Sequence, residues 1–167
     1  MGLPVISRDN KIEASLKNKM VGSIELVVKE IFSNYFGGEV NSSGSSGEAG
    51  LSDNSGCLCQ VQLQQEDINI FLCFNFDVEL LYSLVEQAYS GDDIKDPESY
   101  QDAACEIANI ICCKVKSILN DSGYRLNMDL PRAVVEHKKL INSHDDVNMH
   151  FNVEGNRGFF VNLYSFN

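Results

Sequence analysis

Two alternating segments constrain the fold of this chain more than any other feature. In residues 57–65, Cys57, Cys59, Val61 and Leu63 occupy odd positions, while Gln60, Gln62 and Gln64 occupy even ones. That period of two belongs to a strand with one apolar and one polar face. Glu66-Asp67 supplies a turn, and residues 68–76 return as a strand rich in Ile and Phe. The layout recurs near the C-terminus: Val147, Met149, Phe151 and Val153 alternate with polar residues, 154–158 turn, and 159–166 return. Two such hairpins must bury their apolar faces under another layer.

Helices can supply that layer. From about Lys11 to Phe36, Ile12, Leu16, Ile24, Val27, Val28, Ile31 and Phe32 recur at spacings of three and four, and Gly37-Gly38 ends the run. Asp77 is placed to cap a helix reaching Ser90, with Val78, Leu81, Leu84, Val85 and Ala88 on its apolar face. A longer helix begins with Asp96 as N-cap and Pro97 at its first position, continues to about Asn120 and stops at Asp121-Ser122-Gly123. Residues 124–130 read as a strand closed by Pro131. Residues 39–56, rich in Ser and Gly, read as a flexible loop. The expected fold is α+β: an antiparallel sheet packed on one side by the two long helices. A weak internal duplication of helix followed by strands runs through it. Residues 1–167 are expected to form one domain, two very small domains being the alternative.

Charge narrows the function classes. Lys and Arg total 13 against 24 Asp and Glu, a net charge of −11. Nucleic-acid binding and adhesion to anionic lipid both need clustered positive charge, and neither is expected. The longest apolar runs are too short to span a bilayer, and Met1–Val5 has no signal-peptide character. A soluble, cytoplasmic protein is the expectation. The six cysteines contain no C-x-x-C pair, and His137, His144 and His150 lack zinc-finger spacing. Reduced, buried thiols and no metal site are expected.

The longer helix carries the candidate site. Ala103, Ile107, Ile110, Ile111 and Ile118 form its apolar side, extended by Ala104, Ala108, Val115 and Leu119. Opposite them, Asp102, Glu106, Asn109 and Cys113 share a stripe about 60° wide, because they follow one another at i+4, i+3 and i+4. Taken alone, such a stripe is an ordinary solvated helix face.

The full spacing says more. Asp102-x-x-x-Glu106-x-x-Asn109, followed 22 positions later by Pro131, resembles the motif of the CheC/CheX/FliY family of chemotaxis phosphatases. The run Asp102-Ala103-Ala104-Cys105-Glu106-Ile107-Ala108-Asn109-Ile110-Ile111 resembles the family's motif helix in apolar pattern too. The first helix has no Glu-x-x-Asn in register, so the chain looks like the single-motif CheX type. The resemblance implies a hydrolase acting on the aspartyl phosphate of a CheY-like response-regulator receiver in chemotaxis or two-component signalling. In that reading Asn109 orients the attacking water and Glu106 pairs with the receiver's lysine. Asp102 is a motif-position or partner-contact acid, Cys113 stands where relatives often have glycine, and Pro131 is structural. No cofactor of its own is implied, since the receiver brings Mg²⁺, and a homodimer joined through sheet edges is expected. The competing reading is a non-catalytic receiver-binding or flagellar-switch module of the same fold, favoured by Cys113. A carboxylate metal site from Asp102 and Glu106 would need more ligands than the stripe supplies.

Overall fold

A computed structural model describes residues 14–36, 40–45, 57–66, 68–88, 97–134, 144–154 and 157–166. The element order is α1 (Ala14–Phe36), β1 (Asn41–Ser45), β2 (Cys57–Gln65), β3 (Ile68–Phe76), α2 (Val78–Ala88) and α3 (Pro97–Asp121), then β4 (Asn127–Met128), β5 (Arg132–Val134), β6 (His144–Glu154) and β7 (Arg157–Phe166). The helix start expected at Lys11, the Gly37-Gly38 stop, the Asp96 cap and residues 89–90 lie outside the described residues.

The strands form one antiparallel sheet in the order β1-β6-β7-β3-β2-β4, with β5 also on β2. Both hairpins pair as their alternation requires. Cys59, Val61 and Leu63 of β2, Ile70, Leu72, Phe74 and Phe76 of β3, and Phe159, Val161 and Leu163 of β7 are all buried in one core. Glu66 adopts φ 48°, the left-handed conformation that a two-residue hairpin turn favours. From the helical layer, α1 contributes Leu16, Met20, Ile24, Val27, Val28 and Ile31, and α3 contributes Ala104, Ala108, Ile111, Cys112, Val115 and Leu119. Truncating any one of the larger of these to Ala would cost roughly 2–5 kcal/mol.

The duplication takes a definite form in this order. The hairpins β2–β3 and β6–β7 meet through β3 and β7, and each is extended on its outer side by an edge strand from the other half. Thus β1 completes the second hairpin and β4–β5 complete the first. The halves are interlocked.

Two expectations are corrected. Residues 41–45, placed in a flexible loop, form β1, paired from Asn41↔Asn152 to Ser45↔Asn148, with Val40 buried just before it. A Ser/Gly run has no hydrophobic period, so pairing with β6 makes it a strand and its composition does not. Residues 46–56 lie outside the described residues. The strand expected over 124–130 contracts to Asn127–Met128, and Pro131 does not close it: pairing with β2 resumes at Arg132–Val134. From Met128↔Leu63 to Arg132↔Gln60 the edge advances four residues while β2 advances three. One residue is bulged out there. The bulge accommodates Pro131, which has no N–H to give to β2.

Local contacts fix the helix ends as their sequences demand. The Asp77 carboxylate accepts the Glu79 N–H at 3.0 Å, capping α2, while the Asp77 N–H donates to the Gly158 carbonyl at 3.1 Å and ties the cap to β7. At the end of α3, Gly123 turns the chain at φ 107°. The Asn120 amide donates to the Leu126 carbonyl at 3.2 Å and accepts the Leu126 N–H at 2.8 Å.

Candidate functional site

The four motif residues on α3 follow from its register. With Ala104, Ala108, Ile111 and Val115 facing the core, the opposite side of the helix carries Asp102, Glu106 and Cys113, all exposed. Asn109 departs from the fully outward position expected for it. It is half-buried, because it stands on the shoulder of the helix shared with Cys105, whose thiol reaches β2. About 60° therefore separates Glu106 from Asn109 around the helix axis. The Cys113 thiol lies 3.9 Å from the Asn109 amide oxygen.

Neither Glu106 nor Asp102 makes a hydrogen bond or ion pair among the described residues. Lys114 is the nearest cation along the helix, but it is engaged by Glu30 of α1 at 3.2 Å. Among the described residues, Glu106 is an unpaired carboxylate on a rigid element. Nor do the two acids gather a metal-ligand set: no three His, Cys, Asp or Glu side chains converge among the described residues.

Glu106 also opens onto a feature that periodicity did not disclose. A groove of about 460 Å³ runs between the three helices, lined by Ile31 and Phe32 of α1, Leu84 and Val85 of α2, and Ile107 and Ile110 of α3. Ile110, assigned to the apolar side of the helix, is 36% exposed at its rim. The spacing of Ala103, Ile107, Ile110 and Lys114 marks the lining in the sequence, but only the placement of α1 and α2 leaves it uncovered.

The first helix holds no second copy of this arrangement. Met20, Ile24, Val27, Val28 and Ile31 repeat the burial spacing of Ala104, Ala108, Ile111, Cys112 and Val115. Superposing the two puts Gly22 and Glu25 where α3 has Glu106 and Asn109; a shift of one turn puts Asn18 and Val21 there. Neither register gives Glu-x-x-Asn.

A family model, chemotaxis phosphatase CheX, matches residues 58–152, more than half of the chain and all of α3. The protein belongs to the CheX family. Solved structures share the fold of this CheX-family chain at low identity. Chemotaxis protein CheX from Vibrio vulnificus is 15% identical with TM-score 0.72, covering 89% of this chain and 99% of that one. A CheC-like superfamily protein from Shewanella sp. PV-4 is 14% identical with TM-score 0.72, covering 93% and 100%. The CheX–CheY–BeF3–Mg²⁺ complex from Borrelia burgdorferi gives 16% identity and TM-score 0.65, covering 90% and 97%. No curated protein matches the sequence. No described helix of this CheX-family protein is long and apolar enough to cross a membrane.

Proposed function

We propose that this CheX-family protein hydrolyses the aspartyl phosphate of a CheY-like receiver domain, with Asn109 and Glu106 as its working residues. The observation that carries the reading is the pairing on one rigid helix of an unpartnered carboxylate, Glu106, with a carboxamide, Asn109, three residues on. An acyl phosphate is already activated, and Mg²⁺ held by the receiver neutralises charge on the phosphoryl group. What the second protein adds is a water placed in line with the scissile P–O bond.

Asn109 suits that task. Its amide combines a donor and an acceptor, so it can accept a hydrogen bond from the water while donating to a phosphoryl oxygen. It is no nucleophile, and no covalent intermediate on this chain is involved. Glu106 serves the encounter: an unpaired, exposed carboxylate attracts the receiver's active-site lysine, and the pair gains strength as docking excludes water. Asp102, one turn earlier, adds negative charge on the same approach. Pro131 acts through the fold, at the bulge in the sheet edge. Support for a receiver as partner comes from family membership and from the Borrelia burgdorferi CheX structure, which contains CheY. Assembly as a homodimer through sheet edges belongs to the same proposal, and sedimentation at micromolar concentration checks it.

Cys113 favours a second reading, in which the surface binds a receiver without promoting hydrolysis. Its thiol occupies space beside Asn109 and interacts with the amide oxygen. Phosphate release from a phosphorylated receiver, followed with and without this protein, separates the two. Acceleration supports the phosphatase; binding with no acceleration replaces it with the interaction module.

A further inference from the structure

Beneath the motif stripe, α3 meets β2 through two thiols. The Cys59 S–H donates to the Cys105 sulfur with only 2.8 Å between the sulfurs, although 46 positions separate the residues in sequence. The two sulfurs are within about 0.8 Å of disulfide bonding distance. Cys59 is 1% exposed, Cys105 is half-buried at the helix edge, and the neighbouring Cys112 is fully buried. Among these three thiols, one is reachable from solvent and its partner waits behind it.

We propose that Cys59 and Cys105 form a reversible disulfide that locks α3 onto β2, with a hydroperoxide as the oxidant. The Cys105 sulfur attacks the terminal peroxide oxygen. The O–O bond breaks, an S–O bond forms, and the thiol proton leaves with the alcohol or water released. The Cys59 sulfur then attacks the Cys105 sulfur, forming the S–S bond and breaking the S–O bond, and its proton departs with hydroxide as a second water. Two electrons pass from the thiol pair to the peroxide, and a dithiol reductant returns them.

The division of labour follows from exposure. Burial, reinforced by the hydrogen bond to Cys105, pushes the Cys59 thiol far above its ordinary pKa. Because Cys59 is 1% exposed, peroxide does not reach it; it acts in the second step, where contact with the Cys105 sulfur offsets the scarcity of its thiolate. Cys112, raised by complete burial, has no access to oxidant. The bond would join the helix that carries Glu106 and Asn109 directly to the sheet. It stands apart from the phosphatase reading and holds whichever of the two functions is correct.

The test uses the full chain treated with hydrogen peroxide, alkylated, digested without reductant and mapped by mass spectrometry. The expected product is a Cys59–Cys105 linked peptide pair, lighter by two hydrogen atoms than the separate thiol peptides and released by dithiothreitol. Closing so long a loop should raise the Tm of the oxidised protein by roughly 10 °C. Cys105→Ser should abolish both the link and the shift. If peroxide instead leaves both residues free to alkylate after denaturation, the proposal is overturned. A link through Cys73, Cys112 or Cys113, or oxygen addition at Cys113 alone, overturns it equally.

Discussion

The Cys113 thiol and the Asn109 amide oxygen stand 3.9 Å apart, one turn from each other along α3. The contact occupies one acceptor site of the amide and directs its NH₂ group away from Cys113. On the proposed function, it also places a side chain on the face that the receiver would approach. Replacing Cys113 with Gly removes both effects. Receiver dephosphorylation should become more efficient through a lower KM, while the helix loses roughly 1 kcal/mol of stability to the glycine. Single-turnover kinetics and melting curves measure the two separately.

Asn109→Ala and Glu106→Ala should be separable from each other. Neither side chain fills the core, and alanine is the better helix former, so each change should alter stability by only about 0.5 kcal/mol or less. If the proposed function holds, Asn109→Ala should abolish most of the acceleration while receiver binding persists, because the amide would address the water and not the partner's anchor. Glu106→Ala should weaken binding as well, because the receiver's lysine loses its counter-charge. If Asn109→Ala melts normally and keeps the wild-type rate, the catalytic reading fails.

Asn120 should matter to folding and not to chemistry. Its amide holds both backbone groups of Leu126, a residue only 2% exposed. Asn120→Ala leaves those groups without their partner and should cost about 1–3 kcal/mol in urea unfolding. Any phosphatase activity per folded molecule should be retained.

Gly158 should tolerate no side chain. A Cβ there would run into the Phe151 backbone carbonyl across the β6–β7 pair. Backbone cannot swing aside as a side chain does, and the Gly158 carbonyl also holds the Asp77 cap. Gly158→Ala should therefore lose more than about 2 kcal/mol, measured by denaturant titration.

His150 gives stability a pH dependence. Its ring stacks on Phe160 with centroids 4.3 Å apart, and burial lowers its pKa below the ordinary 6.5. The unfolded chain then binds more protons than the folded one, so stability rises with pH through this window. It should be lost as pH falls from about 6.5 towards the lowered folded value. His150→Phe should flatten that part of the curve, and melting temperatures across the range would show it.

Residues 57–76 and 97–121 show what was legible in advance and why. The odd–even pattern of Cys59, Val61 and Leu63 leaves one way to bury them, and the hairpin follows. On a helix, 100° per residue alone puts Asp102, Glu106 and Cys113 on one stripe with Asn109 at its edge. These are local periods, fixed by backbone geometry. Ser42, Ser43 and Gly44 carry no period, and only His150 and its neighbours on β6, more than a hundred residues away, make them a strand. The bulge at Pro131 likewise exists only because β2 offers a fixed ladder that the edge must fit with one residue to spare. The half-burial of Asn109, the groove beside Glu106 and the meeting of Cys59 with Cys105 were decided in the same way. Each depends on how far one element sits from another, and that distance is set by side chains packed elsewhere in the core.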